Sequence, residues 1–287
     1  MNASGQERTL EFEIRRIAPF ESVIFSAETI FPDLKKFLGS ADGWGTLHFE
    51  SRSSFTRLLI LWENSRNHEL QVTHSNFDYS THRTNEISST KPAYMILPTI
   101  HGRTPDAIVY PRSLPGCYSV NDAPISSEGL RIKDSPRTLA FRRLDGDLPA
   151  RIVTAVSGNH GVKDTLNFEC SLGVVHEDRP PKRFHWFVVS SKMRSLIHFT
   201  SYAEIYPPSR PIEVVFRLYV DSSKNVEEVT AVYETLQDIP EEIVVDDIFD
   251  LSSVHSFAYV SVFSEYGGFV IFSSLRKRDS ITVEHSF

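Results

Sequence analysis

FHWFVVS at residues 184–190 begins a series of six apolar and aromatic runs in the C-terminal third of the chain. The other five are LIHFTSY (196–202), IEVVFRLYV (212–220), FAYVSVF (257–263), FVIFSSL (269–275) and ITV (281–283). They are rich in Val, Ile, Phe and Tyr, and Pro, Gly, Ser or Asp residues lie between them. Short runs of this composition are typical of strands rather than helices. The sequence therefore predicts a fold built on antiparallel sheet.

The rest of the chain extends the same pattern. Residues Thr9 to Ile14 alternate between apolar and polar side chains, which indicates a half-buried strand, and further short runs recur up to Val175. The acidic segment from Glu241 to Asp250 is interpreted as an edge strand whose charges discourage unwanted pairing. The predicted fold class is mainly β: an antiparallel β-sandwich, or two packed β subdomains, with about two short helices.

Two segments have helical spacing instead. Apolar residues recur at helical intervals from Ala27 to Leu38, and Gly39 is placed to end that helix. In the second segment, Val226 to Leu236, apolar residues share one helical face and Pro240 follows. The sequence predicts a short helix in each.

The domain organisation has two interpretations. A single β-rich domain over residues 9–287 is consistent with the length, because sandwiches and barrels often reach this size undivided. The alternative is an N-terminal subdomain over 9–125 and a C-terminal one over 126–287, since periodic apolar residues become sparse between Asn121 and Ser135.

Composition limits the class of protein. The 287 residues are 40% hydrophobic and 23% charged, which is typical of a globular chain with a sizeable core. A formal net charge of −7 argues against a surface devoted entirely to phosphate binding. The polar N-terminus has no apolar signal region, and no uncharged apolar run is long enough to span a membrane. We expect a cytoplasmic or otherwise intracellular protein without membrane insertion, and two free thiols at Cys117 and Cys170.

Several catalytic motifs are missing. The sequence has no phosphate-binding loop of the G-x-x-x-x-G-K-[ST] type, no G-x-G-x-x-G, no H-E-x-x-H and no G-x-S-x-G. No cofactor is therefore expected, and an enzymatic role is disfavoured.

The histidines provide one catalytic hypothesis. If residues 184–190 and 196–202 form a hairpin centred between Ser191 and Lys192, His185 and His198 lie directly opposite each other, close enough to share a metal or a phosphate. A slip of one residue in register would place them on opposite faces. The segment LIHFT, with His198 and Thr200, also resembles one motif of the two-histidine phosphoesterases. That fold needs two such motifs, and the nearest second one, LHFE at 47–50, has Glu at the hydroxyl position, so membership is not claimed.

A metal site is a further hypothesis. His74 and His82 lie in or beside a polar stretch from Thr73 to Lys91 that is interpreted as a long loop, and imidazole with nearby carboxylates is reasonable metal chemistry. Their spacing is not that of a compact ligand set. The alternative is an exposed loop with incidental histidines.

Two groups of basic residues are candidate anion sites. The first comprises Arg276, Lys277 and Arg278, and the second Arg131, Arg137, Arg142 and Arg143. Together they would form a basic groove for nucleic acid, with nearby aromatic rings for stacking. The alternative is ordinary surface charge. Other aromatic pairs, such as Phe257 with Tyr259, are interpreted as core or cross-strand contacts.

Three functional hypotheses follow. The preferred one is a non-enzymatic binding or assembly protein that acts through loops and sheet edges, with a protein partner or self-association. Viral capsid, matrix and movement proteins and cellular scaffolds share this fold class, and the comparison rests on fold class alone. The second is a phosphoesterase-like or metal-dependent hydrolase using His185 and His198. The third is nucleic-acid binding through the basic groups.

Overall fold

The structure is a computed structural model, and it describes residues 6, 8, 10, 23–39, 59–63, 70–74, 91–100, 102–110, 117–125, 130–132, 136–146, 148, 153–158, 169–172, 175–176, 183–220, 226–277 and 280–285. These residues belong to two compact units, 1–56 and 57–287. The domain assignments made from the sequence stay predictions. The strand predicted from Thr9 to Ile14 lies outside the described residues except for Leu10.

The first unit contains the predicted helix as two short pieces. Helix α1 spans Ala27–Ile30 and α2 spans Leu34–Leu38. The break has a local cause, because Pro32 disfavours helical backbone at the residue before it, and Phe31 has φ −121° and ψ 86°. Gly39 ends α2 with a φ of 86°, as predicted.

The described part of the second unit is mainly antiparallel sheet, which confirms the mainly β fold class. Its strands are β1 Leu59–Glu63, β2 Leu70–His74, β3 Ala93–Ile96, β4 Asp106–Tyr110, β5 Tyr118–Val120, β6 Ala123–Ile125, β7 Leu130–Ile132, β8 Thr138–Arg143, β9 Val153–Ser157, β10 Glu169–Leu172, β11 Val175–His176, β12 Phe184–Ser190, β13 Arg194–Ser201, β14 Ile212–Tyr219, β15 Val226–Tyr233, β16 Glu242–Val244, β17 Phe257–Phe263, β18 Phe269–Lys277 and β19 Ser280–His285. Within the described residues, 3₁₀ helices span Leu236–Asp238, Val245–Asp247 and Leu251–Ser253.

The described strands form a two-stranded sheet, β1-β2, and four larger sheets. The N-terminal half of the unit contributes the orders β10-β9-β4-β7 and β11-β3-β8-β5-β6. The C-terminal half contributes β12-β17-β14-β15, here called the outer sheet, and β16-β13-β18-β19, here called the central sheet.

The central sheet is buried on both faces. On one face, Ile197, Phe199, Phe269 and Ile271 pack against the inner face of the outer sheet, in a core that also holds Phe216. On the other face, residues of β18 and β19 join a second core with strands of the N-terminal half; they are Phe272, Ile281 and Val283. Residues 271 and 272 thus belong to different cores, as the alternation of side chains along a strand requires.

The helix predicted from Val226 to Leu236 is wrong, because residues 226–233 form strand β15. β15 pairs with β14 along its whole length, from Val226 opposite Tyr219 to Tyr233 opposite Ile212. Its β-branched side chains favour extended backbone, and the pairing with β14 decides between a helix and a strand for this segment. Only the 3₁₀ turn Leu236–Asp238 is helical in this segment.

The acidic segment from Glu241 to Asp250 is an edge strand over part of its length. β16 pairs with β13 alone among the described strands, which confirms the prediction for Glu242–Val244. The residues after it form 3₁₀ turns. Cys117 and Cys170 are free thiols, as expected. No helix in the described part of the chain has the length and apolar character needed to cross a membrane.

Candidate functional site

The predicted pairing of His185 with His198 is wrong. β12 pairs with β17, which places His185 opposite Val262. β13 pairs with β18 and β16, which places His198 opposite Phe272 on one side and Glu242 on the other. The connection from β12 to β13 is short, but it crosses from the outer sheet to the central sheet instead of forming a hairpin.

Serine side chains stabilise this crossing. The Ser190 N–H donates to Ser195 Oγ at 2.9 Å, and the Lys192 N–H donates to Ser190 Oγ at 3.1 Å. Ser190 Oγ in turn donates to the Ser256 carbonyl at 2.8 Å. Side-chain acceptors thus bond backbone donors at the turn, a role that serine commonly has in loops.

The two histidines also face different cores. His185 shares its strand face with Phe187 and Val189, which lie in the core between the outer and central sheets. His198 alternates with Ile197 and Phe199, which occupy that same core, so its side chain lies on the opposite face of the central sheet. The central sheet therefore separates the two imidazoles, and the geometry required by the hydrolase hypothesis is not formed.

His198 instead belongs to a line of polar side chains across three neighbouring strands. Its Nε2 lies 2.8 Å from Ser274 Oγ on β18, and its Nδ1 lies 3.5 Å from Glu242 Oε2 on β16. Thr200 points to the same face two residues further on, and its Oγ1 has no hydrogen-bond partner among the described residues. His198 and Thr200 are candidates from the sequence alone, whereas Ser274 and Glu242 are not, because only the pairing of distant strands brings them to His198.

A histidine between a carboxylate and a serine hydroxyl is an arrangement that activates serine as a nucleophile. That chemistry requires a substrate at the hydroxyl, and here His198 is 0% exposed and Ser274 is 1% exposed. The line is thus a buried polar network. It links side chains of β16, β13 and β18 through the contacts of His198 with Glu242 and Ser274, and so favours one register of these three strands.

The metal hypothesis gains no support from the described residues. His74 ends β2, but the side-chain surroundings of that residue and the whole of His82 lie outside the description. Among the described residues, no three His, Cys, Asp or Glu side chains lie close enough together to hold a metal ion.

Three members of the second basic group, Arg137, Arg142 and Arg143, lie next to carboxylates. Arg137 pairs with Glu241. Arg142 Nε lies 3.6 Å from Asp122 Oδ1, and Arg143 Nε lies 2.9 Å from Asp145 Oδ1. The hydrogen bond from Arg143 lowers the pKa of Asp145, with a further contribution from the Cys117 N–H. The side-chain surroundings of Arg131 are outside the description. These local pairings reduce the positive potential that a nucleic acid would meet.

The first basic group is partly described. Arg276 lies directly opposite Arg194 on neighbouring strands of the central sheet, and Lys277 is exposed. Arg278 is outside the described residues. The structure thus adds Arg194 to this group, a member that sequence spacing did not suggest.

The outer sheet presents an aromatic surface on the side away from the central sheet. Cross-strand partners share a face, so the register places Trp186, Tyr259 and Tyr219 on this side. The large exposed side chains of this surface, here called the outer face, are Phe184 (49%), Trp186 (38%), Tyr219 (39%), Val226 (47%), Val232 (60%), Phe257 (54%) and Tyr259 (47%). The sequence predicts that Phe257 and Tyr259 make core or cross-strand contacts. They are exposed and therefore not core residues, but the cross-strand alternative is confirmed for Tyr259, which contacts Trp186.

One row of the outer face crosses all four strands. Val188 lies opposite Tyr259, Tyr259 opposite Tyr219, and Tyr219 opposite Val226. The neighbouring row contains an ion pair between Arg217 Nε and Glu228 Oε2 at 2.6 Å. The outer face is therefore largely apolar, with Arg217 and Glu228 paired near its middle and Glu213 exposed beside Val232.

The outer sheet also ends in a long edge strand. β15 pairs on one side with β14 and is the last strand of the sheet among those described. All eight residues lie in a regular ladder, and the strand carries two charged residues, Glu227 and Glu228, but no Pro and no Lys. The sequence predicts a helix in this segment, so it gives no indication of this edge strand.

An open concavity of about 730 Å³ lies at one end of the outer sheet. It is lined by Ser191 and by the segment from Asp246 to Ser252. Asp250 Oδ1 accepts from the Ser252 N–H at 2.9 Å, and this hydrogen bond lowers the pKa of Asp250. That carboxylate therefore caps the 3₁₀ helix that follows it.

Comparisons with protein-family models, with curated proteins and with solved structures found no significant match.

Proposed function

We propose that this protein is a non-enzymatic binding or assembly protein, and that it acts through the outer face and the β15 edge of the outer sheet. The observation that carries the proposal is the clustering of large exposed apolar side chains on one face of a regular sheet. Scattered exposed apolar residues are normal on a protein surface, whereas contiguous patches mark interaction sites.

The chemistry of the outer face suits protein recognition. Trp and Tyr combine a large apolar body with a polar group, and they are the residues most enriched at the centres of protein interfaces. Trp186 and Tyr259 are in mutual contact, with ring centroids 5.9 Å apart. Because the contact already restricts both rings, they lose less conformational entropy when a partner binds. A rigid aromatic cluster of this kind is a good anchor for a partner.

The charge distribution supports a protein partner over a polyanion. The ion pair between Arg217 and Glu228 leaves little net charge in the middle of the outer face. The whole chain carries a formal net charge of −7, which disfavours a phosphate backbone as the partner.

The test uses tagged full-length chain in a capture experiment, followed by purification of the captured protein and rebinding. The variant Trp186→Ser with Tyr259→Ser removes the aromatic contact from the outer face. The control is Leu144→Ser, which changes a 60% exposed apolar residue of a loop. We expect the purified partner to bind the wild-type chain and the control, and to bind the double variant at least tenfold more weakly.

Equal binding by the double variant and the control would contradict the proposal. Turnover of a substrate by a chain that rebinds no partner would contradict it as well.

A further inference from the structure

We propose that two copies of this chain associate edge to edge through β15, so that their two outer sheets form one continuous eight-stranded sheet. This inference rests on the proposed function, because it names a second copy as the partner at the β15 edge. It starts from the fact that β15 is an eight-residue strand paired on one side only among the described strands. A second copy supplies an edge of the same length and direction.

Symmetry limits the possible registers. A two-fold axis between two antiparallel copies of one strand places one residue opposite its own copy, and the register is said to be centred on that residue. The other residues pair symmetrically on either side of it. Registers centred on Glu228 or Ala231 place carboxylates opposite each other, Glu228 with Glu228 in the first and Glu228 with Glu234 in the second. Like charges directly opposite are destabilising, so these registers are disfavoured.

A register centred on Val229 avoids this repulsion. It places Val226 of one copy opposite Val232 of the other on the outer face, at both ends of the pairing. Glu228 then lies opposite Thr230. Val226 is 47% exposed and Val232 is 60% exposed, so the pairing covers apolar side chains that are exposed in the single chain.

The same register extends the apolar row of each copy by one valine of the other copy. The row of Tyr259, Tyr219 and Val226 continues into Val232 of the second copy. The register centred on Thr230 also avoids carboxylate repulsion, but it places Val226 opposite Glu234 and Val232 opposite Glu228. It therefore forms none of these Val–Val contacts, and the Val229 register is favoured.

Charge substitutions distinguish these registers. Val226→Lys with Val232→Lys places lysine opposite lysine twice in the Val229 register, whereas in the Thr230 register both lysines lie opposite glutamates. The matched control is Val226→Glu with Val232→Lys, which places glutamate opposite lysine at both ends of the Val229 register. Both positions are exposed, so we expect all these chains to fold.

The measurement is sedimentation equilibrium of the purified full-length chain over a range of concentrations, with circular dichroism to check folding. We expect the wild-type chain to reach a dimer, the double-lysine variant to dissociate about tenfold more readily, and the glutamate–lysine control to dimerise like the wild type. A wild-type chain that stays monomeric would overturn the inference. So would a double-lysine variant that dimerises as well as the wild type or more tightly.

The same samples separate this inference from the proposed function. A monomeric wild-type chain whose purified partner is lost with Trp186→Ser and Tyr259→Ser would overturn the dimer and leave the outer face as a binding surface. A chain that dimerises through β15 but binds its partner equally well without those rings would support the dimer and contradict the binding role of the outer face.

Discussion

Trp186 and Tyr259 pack edge to face on the exposed side of the outer sheet, with ring centroids 5.9 Å apart and an interplanar angle of 62°. On the opposite side of the same sheet, Phe199 and Phe216 make a similar contact at 6.3 Å, but there the rings are buried. The two pairs have comparable geometry and opposite exposure. This contrast separates aromatic contacts that stabilise the fold from contacts that are available to a partner.

The first prediction follows from this contrast. Tyr259→Ala should lower the free energy of unfolding by only about 1 kcal/mol, because Tyr259 is 47% exposed in the folded chain and its removal takes away mainly the contact with Trp186. Phe199→Ala should lower it by about 3 to 5 kcal/mol, because it empties space in the core. Urea unfolding followed by circular dichroism measures both. Similar losses for the two variants would show that the outer face is part of the stabilising core.

The second prediction concerns the buried line of His198, Ser274 and Glu242. His198→Ala should lower the free energy of unfolding by about 2 to 4 kcal/mol, because it opens a cavity and leaves the Ser274 hydroxyl without this buried partner. Glu242→Gln should cost less, since the Glu242 side chain is 31% exposed and water can compensate. Denaturant unfolding of the single and double variants measures the coupling.

The same line gives a chemical control. A fluorophosphonate probe, which modifies activated serines, should not label Ser274 in the folded chain, because that residue is 1% exposed. Labelling of Ser274 under native conditions, and its loss in His198→Ala, would show that the line is an accessible catalytic site.

The third prediction concerns Glu284 on β19. Burial raises the pKa of Glu284 to about 7 from an ordinary value of 4.5. The folded chain therefore holds a proton there that the unfolded chain has released, and stability should fall as the pH rises from about 4.5 to about 7. The penalty above that window should be about 2 kcal/mol, after allowance for the partial exposure of the group.

The variant Glu284→Gln tests this directly. It should be more stable than the wild type at pH 8 and about equal to it at pH 4, because the neutral amide replaces the protonated acid. Thermal or urea unfolding across this pH range gives the two curves. Curves that stay parallel from pH 4 to pH 8 would show that Glu284 titrates normally in the folded chain.

The fourth prediction concerns the crossing from β17 to β18. A Cβ added at Gly268 would lie 2.1 Å from Tyr266 Cζ, and Tyr266 Oη donates a hydrogen bond to the Tyr206 carbonyl. Gly268→Ala should therefore displace that ring and cost about 1 to 3 kcal/mol. Gly267 has a φ of 59°, so Gly267→Ala should cost about 1 kcal/mol through backbone strain alone.

Tyr266→Phe shows whether the cost of Gly268→Ala comes from the clash with the Tyr266 ring or from the contact with its hydroxyl. It removes the hydroxyl and its hydrogen bond but keeps the ring that contacts Phe269 at 5.0 Å. If the clash at Gly268 acts through the ring, Gly268→Ala should cost nearly as much in the Tyr266→Phe background as in the wild type. Rescue of Gly268→Ala by Tyr266→Phe would instead assign the cost to the hydroxyl contact.

Much of the secondary structure could be predicted from local patterns. The runs at 184–190, 196–202, 212–220, 257–263, 269–275 and 281–283 all form strands, because short runs of β-branched and aromatic residues between turn residues suit a pleated, half-buried surface. Gly39 ends its helix for an equally local reason. For Val226–Tyr233 the sequence predicts a helix, because its apolar residues fit one face of a helix as well as they fit a strand. Only the pairing with β14 decides between helix and strand.

The candidate sites could be predicted much less well. His185 and His198 are close in sequence, and a hairpin would place them opposite each other. Instead the chain crosses between layers after Ser190, so His198 contacts Ser274, a residue 76 positions away. No local signal carries such a contact, because it depends on which strands become neighbours.

Residue type and spacing are enough to make this a β protein, since strand formation depends on features within a few residues. Which sheet each strand joins, and which side of the sheet faces water, depends on tertiary packing. The reason is that burial is a property of layers: FHWFVVS at 184–190 has aromatic residues on both faces, and only packing against the central sheet buries Phe187 and leaves Phe184 and Trp186 exposed.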